Sequence, residues 1–188
     1  MVLGKPVLAL LYSDKTLLED FLSSLNLERR SEEFYFQSVQ RYYSKEMGSP
    51  LYKVFVSLRC LLKREELKEF KLWATKKEEE YRSFGSRRLN IDPGYVDESH
   101  LVLASSKKRG GRLYLGEGVF AEIEYLFVYG SFRPLYWTYA DYREKEVIAF
   151  FHLVREDYLR DLKLANGSNK LILCRFSKDK LYEEVHVL

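Results

Sequence analysis

The segment Arg87-Arg88-Leu89-Asn90-Ile91-Asp92-Pro93-Gly94-Tyr95 alternates polar and apolar residues. On a strand, alternate side chains share a face. Leu89 and Ile91 are therefore expected to face the core, with Arg88, Asn90 and Asp92 in a row on the other side. A base, an amide and an acid in a row can hold a phosphate, a metal ion or another polar ligand. A solvent-facing strand with a local ion pair and a Pro-Gly turn would show the same pattern. In Phe120-Ala121-Glu122-Ile123-Glu124-Tyr125 the two glutamates share a face in the same way. Neighbouring carboxylates raise one another's pKa and attract a cation such as Mg²⁺. The outward face of an antiparallel strand also reads like this. Arg112 and Tyr114 share a face of the preceding strand, where they would neighbour these carboxylates, and Lys107, Lys108 and Arg109 form a basic turn before it. Asp141 and Glu144 have the spacing of a capping box at a helix start. Arg143 would project beside helix N–H groups that favour anions.

These residues outline a site on adjacent strands for an anionic small molecule, a nucleotide or phosphate bound with Mg²⁺. Asp92 and Glu122 would hold the cation or act as acid and base. Arg88, Lys107 and Arg112 would neutralise phosphate oxygens, arginine by two parallel hydrogen bonds. Asn90 and Arg143 would add polar contacts, and Tyr95 and Tyr114 would stack on a base. Two other classes compete with this one. An RNA-binding module would use the interleaved Arg41-Tyr42-Tyr43-Ser44-Lys45 as part of a stacking face. A structural or partner-binding protein would need no pocket at all.

The elements that must carry these residues follow from periodicity. Val7 to Tyr12 is a continuous apolar run, short enough for a buried strand. Ser13-Asp14 supplies cap chemistry for a helix with Leu17, Leu18, Phe21, Leu22 and Leu25 at helical spacing. Phe34 to Val39 and Leu51 to Leu58 read as strands, joined by a polar connection from Arg41 to Pro50. Lys63 to Arg82 is a second helix, with Leu67, Phe70, Trp73 and Ala74 as its stripe and its Lys and Glu residues as a solvated face. Short strands follow at Arg88 to Asp92, Leu101 to Ala104, Arg112 to Leu115, Phe120 to Tyr129 and Leu135 to Tyr139. A third helix spans Tyr142 to Leu162, Asn166-Gly167-Ser168 is a turn, and Leu171 to Phe176 and Tyr182 to Val187 are late strands. This order predicts one α+β domain over residues 1–188, with a mainly antiparallel sheet, about three helices and a first half compatible with a ferredoxin-like unit.

A chain of 188 residues is long enough to bury a core without staples. Its net charge of +3 permits a phosphate ligand without demanding nucleic acid. Cys60 and Cys174 each sit in an apolar stretch and read as reduced core thiols. No apolar run reaches the ~18 residues of a membrane span. The start of the chain lacks the pattern of a secretory leader, so a cytoplasmic protein is expected, with no membrane partner. Abundant Lys and Glu with few Gln and Met suit a thermophilic source. His100, His152 and His186 lack ligand-like spacing.

At these residues the chain resembles a bacterial family built on a domain of unknown function, some of whose members carry the label GTP-binding protein. The resemblance rests on Glu46-Met47-Gly48, Arg88-x-Asn90-x-Asp92-Pro93-Gly94-Tyr95 and Leu101-Val102-Leu103-Ala104-Ser105-x-Lys107. It continues through Arg112-x-Tyr114-Leu115, Phe120-Ala121-Glu122 and Trp137-Thr138-Tyr139-x-Asp141-Tyr142-Arg143. It runs from about residue 5 to residue 160 and implies that Asp92, Glu122 and Arg112 share a site, without implying a reaction. The chain departs from the family pattern at Gly111, where a His is usual, at Ala140 in place of Pro, and at Glu124 in place of Thr. No G-x-x-x-x-G-K-[ST] run supports the GTP label. Asn169-Lys170-Leu171-Ile172 opens like N-K-x-D but lacks the Asp.

Overall fold

The computed structural model describes residues 1–177 and 179–188. Its centre is β1 (Leu3–Tyr12), buried along its whole length. Alternate residues of β1 serve two cores, as the period of a strand requires. Leu8, Leu10 and Tyr12 pack under α1 (Lys15–Ser23) and α3 (Leu67–Glu80). Val7 and Ala9 pack under α4 (Lys145–Ser168). A strand covered on both faces must be apolar throughout, which is why Val7 to Tyr12 shows no alternation.

The remaining strands are β2 (Leu27–Arg30), β3 (Tyr52–Leu58), β4 (Leu62–Lys63), β5 (Leu89–Val96), β6 (His100–Ser105), β7 (Leu113–Gly116), β8 (Val119–Val128) and β9 (Ser131–Pro134). The sheet order is β2-β3-β1-β5-β6-β8-β7, with β4 on β1 and β9 on β8. Every pairing in it is antiparallel. The β5-β1-β3-β2 half, with α1 and α3 on one face, has the ferredoxin-like order expected of the first half. The hairpin of β10 (Lys170–Ser177) and β11 (Lys180–Val187) forms a separate ladder. No helix is long and apolar enough to cross a membrane among the described residues.

Several expectations fail locally. Phe34 to Val39 is not a strand: Phe34 makes one bridge to Lys53, and Gln37–Met47 is a helix, α2. The signal was hidden because its N-cap is Phe36, which offers no capping side chain. Val39, Tyr43 and Met47 do recur every fourth residue and pack with Leu11 and Leu51. Pro93-Gly94 does not end a strand, since β5 runs through it to Val96. Leu135 to Tyr139 is a turn, closed by the Thr138 N–H donating to Leu135 O at 3.0 Å. Asn166 to Ser168 lie inside α4, which ends on Asn169 in the left-handed region. Cys60 and Cys174 are buried as expected but are joined as a disulfide, with their Cα atoms 5.5 Å apart. Pairing of β10 with Leu61, just after Cys60, brings the two thiols together from 114 residues apart, a distance no spacing rule spans.

Candidate functional site

On the α4 side of the sheet, a cavity of about 510 Å³ lies between β5, β6 and β8 below and α2 and the turn at 139–142 above. Its existence depends on how β5 and β6 part. β5 pairs with β1 from Leu89 to Val96, but with β6 only from Gly94 to Val96. Before Gly94 the edge of β5 is free of β6, and side chains of α3 fill in for the missing strand. The Ile91 N–H donates to Glu78 Oε2 at 2.9 Å, and Lys71 Nζ donates to Ile91 O at 3.4 Å. Both α3 side chains are buried. Burial pushes the Glu78 carboxyl up, and Lys71 opposes that shift.

Two of the three residues in the row expected on β5 line the cavity. Asn90 and Asp92 line the cavity and are joined, Asn90 Nδ2 donating to Asp92 Oδ2 at 3.1 Å. Arg87 donates to Asn90 Oδ1 at 2.7 Å and pairs with Glu46 at 2.8 Å and Glu78 at 3.4 Å. Arg88 turns away to Asp14, 3.4 Å off, because the strand begins only at Leu89. Asp92 faces Lys71 at 3.8 Å.

On β8 the two glutamates do share the cavity face, and both are buried at 2 % exposure. A register shift opposite Leu101 and Val102 lets Tyr125 face the same core as well, as a bulge does. Arg112 Nε donates to Glu122 Oε2, Nη1 donates to Ser105 Oγ at 2.9 Å and to Lys107 O at 2.7 Å, and Nη2 donates to Tyr139 Oη at 3.3 Å. Glu122 Oε1 and Glu124 Oε2 have no hydrogen-bond partner among the described residues. Burial first, and Glu122 second, push the Glu124 carboxyl up to about 8. The mutual perturbation expected of paired carboxylates thus falls on Glu124.

The roof is held by side chains that sequence spacing had assigned elsewhere. Trp137 Nε1 donates to Ile123 O at 2.8 Å and Thr138 Oγ1 to Glu124 O at 2.8 Å, pinning the turn to β8. Arg143 donates to Thr138 O at 3.0 Å and to Leu135 O, so it braces this turn and does not reach the cavity. Asp141 is not a helix cap; Glu144 occupies that position without a side-chain cap bond. Asp141 instead pairs with Lys53 at 2.5 Å, both buried.

Lys107 and Arg109 stand apart from these pairs. Lys107 Nζ donates to Tyr42 Oη at 3.2 Å and lies 4.9 Å from the centre of that ring. Arg109 lies 4.4 Å over Tyr139 and donates to Trp137 O at 2.5 Å. Neither has a carboxylate partner among the described residues.

Residues 4–158 match a family described as a domain of unknown function, DUF4416. The chain belongs to that family. No curated protein and no solved structure matches it. Of the positions singled out from sequence, the DUF4416 fold brings Asn90, Asp92, Lys107, Arg112 and Glu122 to one cavity. Arg88 and Arg143 are engaged elsewhere, as described. Tyr95 lies on the opposite face of the sheet, against Arg64, because it stands three positions, an odd step, beyond Asp92. Tyr114 is exposed on β7, packed on Phe120. Asp92 and Glu122 line the same cavity from different strands. They sit on strands separated by β6, each faces a side-chain cation, and no group of three His, Cys, Asp or Glu residues fits a metal among the described residues.

Lys53, Lys71, Glu78, Arg87, Arg109 and Asp141 were missed as cavity residues. For three of them a signal existed. Lys71 and Glu78 fall four and eleven residues after Leu67, on the apolar stripe of α3 and not on its solvated face. Lys53 interrupts the apolar run of β3 in the same way.

Proposed function

We propose that the cavity binds an anionic small molecule, a phosphate-bearing one of about nucleotide size, with Lys107 and Arg109 as its phosphate receptors. The observation that carries this reading is the charge pairing in the wall. Four of the six cavity cations are already neutralised: Lys53 by Asp141, Lys71 by Asp92, Arg87 by Glu78 and Arg112 by Glu122. Lys107 and Arg109 are held by rings, a hydroxyl and a carbonyl alone. Tyrosines orient such cations while leaving their charge available to an anion. Tyr42, Tyr43 and Tyr139 add flat apolar surface on which a ring can lie.

A resident Mg²⁺ does not fit the residues present, since Asp92 and Glu122 are each committed to a cation. In this reading Mg²⁺ arrives only as a companion of the phosphates. This reading rests on phosphate alone, so it does not carry the label GTP-binding, and no reaction is assigned. An RNA-binding surface would need a continuous basic, aromatic face. Here the basic and aromatic groups surround a cavity that also holds Glu122 and Glu124.

A thermal-shift series with ATP, GTP, pyrophosphate and an RNA oligomer, each with and without Mg²⁺, tests the reading. Ligand at about 100 times its dissociation constant stabilises a fold by about 2.7 kcal/mol. The shift should fall with added salt and vanish in Lys107→Ala/Arg109→Ala. A shift that survives the double substitution, or none from any phosphate compound, sinks it.

A further inference from the structure

The same pairing ledger has a second remainder. Of the five cavity acids, Glu78, Asp92, Glu122 and Asp141 each have a cation, and Glu124 has none among the described residues. The wall thus leaves over two cations, Lys107 and Arg109, and one acid. Glu124 is buried at 2 % exposure, lines the cavity, and has an oxygen without a partner. Glu122 beside it also has a free oxygen, Oε1. Buried carboxylate oxygens without donors are costly, and the missing donors must come from elsewhere.

We propose that the floor of the cavity receives a protonated amine carried by the same molecule whose phosphate lies at Lys107 and Arg109, and that Glu124 releases its proton to solvent as the amine binds. The inference rests on the anion reading above and narrows it to one class: amino-bearing phosphate monoesters. A phosphate dianion and one ammonium complement the two cations and one acid left over in the wall. In the empty cavity Glu124 keeps its proton, because burial and the neighbouring charge of Glu122 disfavour its anion, with Asp141 acting in the same direction. Arg112 and Arg109 face it from the β7 side and pull the other way without prevailing. Tyr125 and Tyr142 complete its surroundings as neutral phenols, held so by burial. An ammonium entering this site supplies both N–H donors and the missing positive charge. The balance is simple: the carboxylic acid becomes a carboxylate bound to the ammonium, and one proton goes to the buffer. Arg109, over the Tyr139 ring, and Glu124 line the same cavity, and the charge of Arg109 acts on Glu124, so both ends face one ligand space.

Calorimetric titration of the intact protein with O-phosphoethanolamine and with ethyl phosphate tests this, run at pH 7 in buffers of different ionisation enthalpy. The two probes share the phosphate and differ in the amine. O-Phosphoethanolamine should bind at least ~10-fold more tightly and release close to one proton. Its advantage should grow by close to tenfold from pH 6 to pH 7 and level off above pH 8, where Glu124 is already ionised in the empty cavity. Glu124→Gln should bind both probes alike, still bind ethyl phosphate, and release about one proton fewer with O-phosphoethanolamine than the wild type does. Equal binding of the two probes to the wild type, a pH-independent preference, or proton release with O-phosphoethanolamine that is undiminished in Glu124→Gln overturns the inference and leaves the anion reading standing. Failure of both probes to bind, with ATP or pyrophosphate still shifting the melt, overturns this inference alone; failure of every phosphate compound overturns both.

Discussion

Glu124 is the residue whose chemistry departs furthest from its ordinary state. Its carboxyl, pushed up to about 8 in the fold, would lose its proton near 4.3 in the unfolded chain. Between those values the folded state holds a proton that the unfolded state has lost, so stability falls as pH rises. The contribution is complete below pH ~4 and gone above pH ~8, and its ceiling is about 5 kcal/mol at 1.36 kcal/mol per unit. Glu124→Gln should flatten this slope and unfold at a higher temperature than the wild type at pH 9. Equal pH slopes for the two proteins between pH 5 and 8, followed by circular dichroism melts, would show that Glu124 is an ordinary carboxylate. Arg112 presents the reverse case. Arg112→Ala would strand Glu122 beside Glu124 without its cation, a loss of about 3–5 kcal/mol. A melt within ~1 kcal/mol of the wild type would show that the pair is solvated. The face shared by Glu122 and Glu124 could be read from period alone. Which of the two keeps the proton could not, because that depends on Arg112 choosing Glu122, a contact between strands.

At the scale of elements, the cavity is a consequence of two strands that touch at one end and part at the other. Gly94 is the touching point: a Cβ there would stand 2.2 Å from Val102 O and 2.6 Å from a Leu103 methyl. Gly94→Ala must push β5 from β6, with a cost of about 1–3 kcal/mol from overpacking. It should also weaken phosphate binding, since Asn90 and Asp92 precede Gly94 on β5 and Lys107 follows β6. Thermal melts and a titration with pyrophosphate would check both effects, and unchanged binding in a destabilised variant would separate strand spacing from the site. Pro93-Gly94 was legible as a special backbone position but read as a turn. Sequence shows that glycine is needed, and not whether the need is a turn or a neighbour's carbonyl. α2 escaped for a related reason, since Phe34 to Val39 has strand composition and tertiary packing on Leu11 and Leu51 overrides it. The long, strongly patterned elements β1, α1, α3 and α4 were legible because burial on one or both faces dictates their residue types directly.

Over the whole molecule, the family match ends at residue 158, inside α4, yet the core continues past it. Leu171 and Leu173 of β10 pack with Leu3, Leu61, Tyr158 and Ala165. Phe176 closes over Phe70 and Trp73 of α3, with ring centres 4.9 and 6.1 Å away. The backbone joins in, with Leu61 N–H donating to Ile172 O and Cys174 N–H to Leu61 O, both at 2.8 Å. The hairpin therefore covers the same helix, α3, that supplies Lys71 and Glu78 to the gap beside β5. Leaving it off would expose Phe70 and Trp73 to water and loosen the element that holds Ile91. Leu173→Ala, at a position with no solvent exposure, is expected to cost about 2–5 kcal/mol. The loss should reach beyond the hairpin, so that hydrogen exchange at the Ile91 amide speeds up together with that of β10. Fast exchange confined to β10 and β11, with Ile91 still protected, would mean that the hairpin unfolds on its own and that the cavity is supported by the sheet and α3 without it.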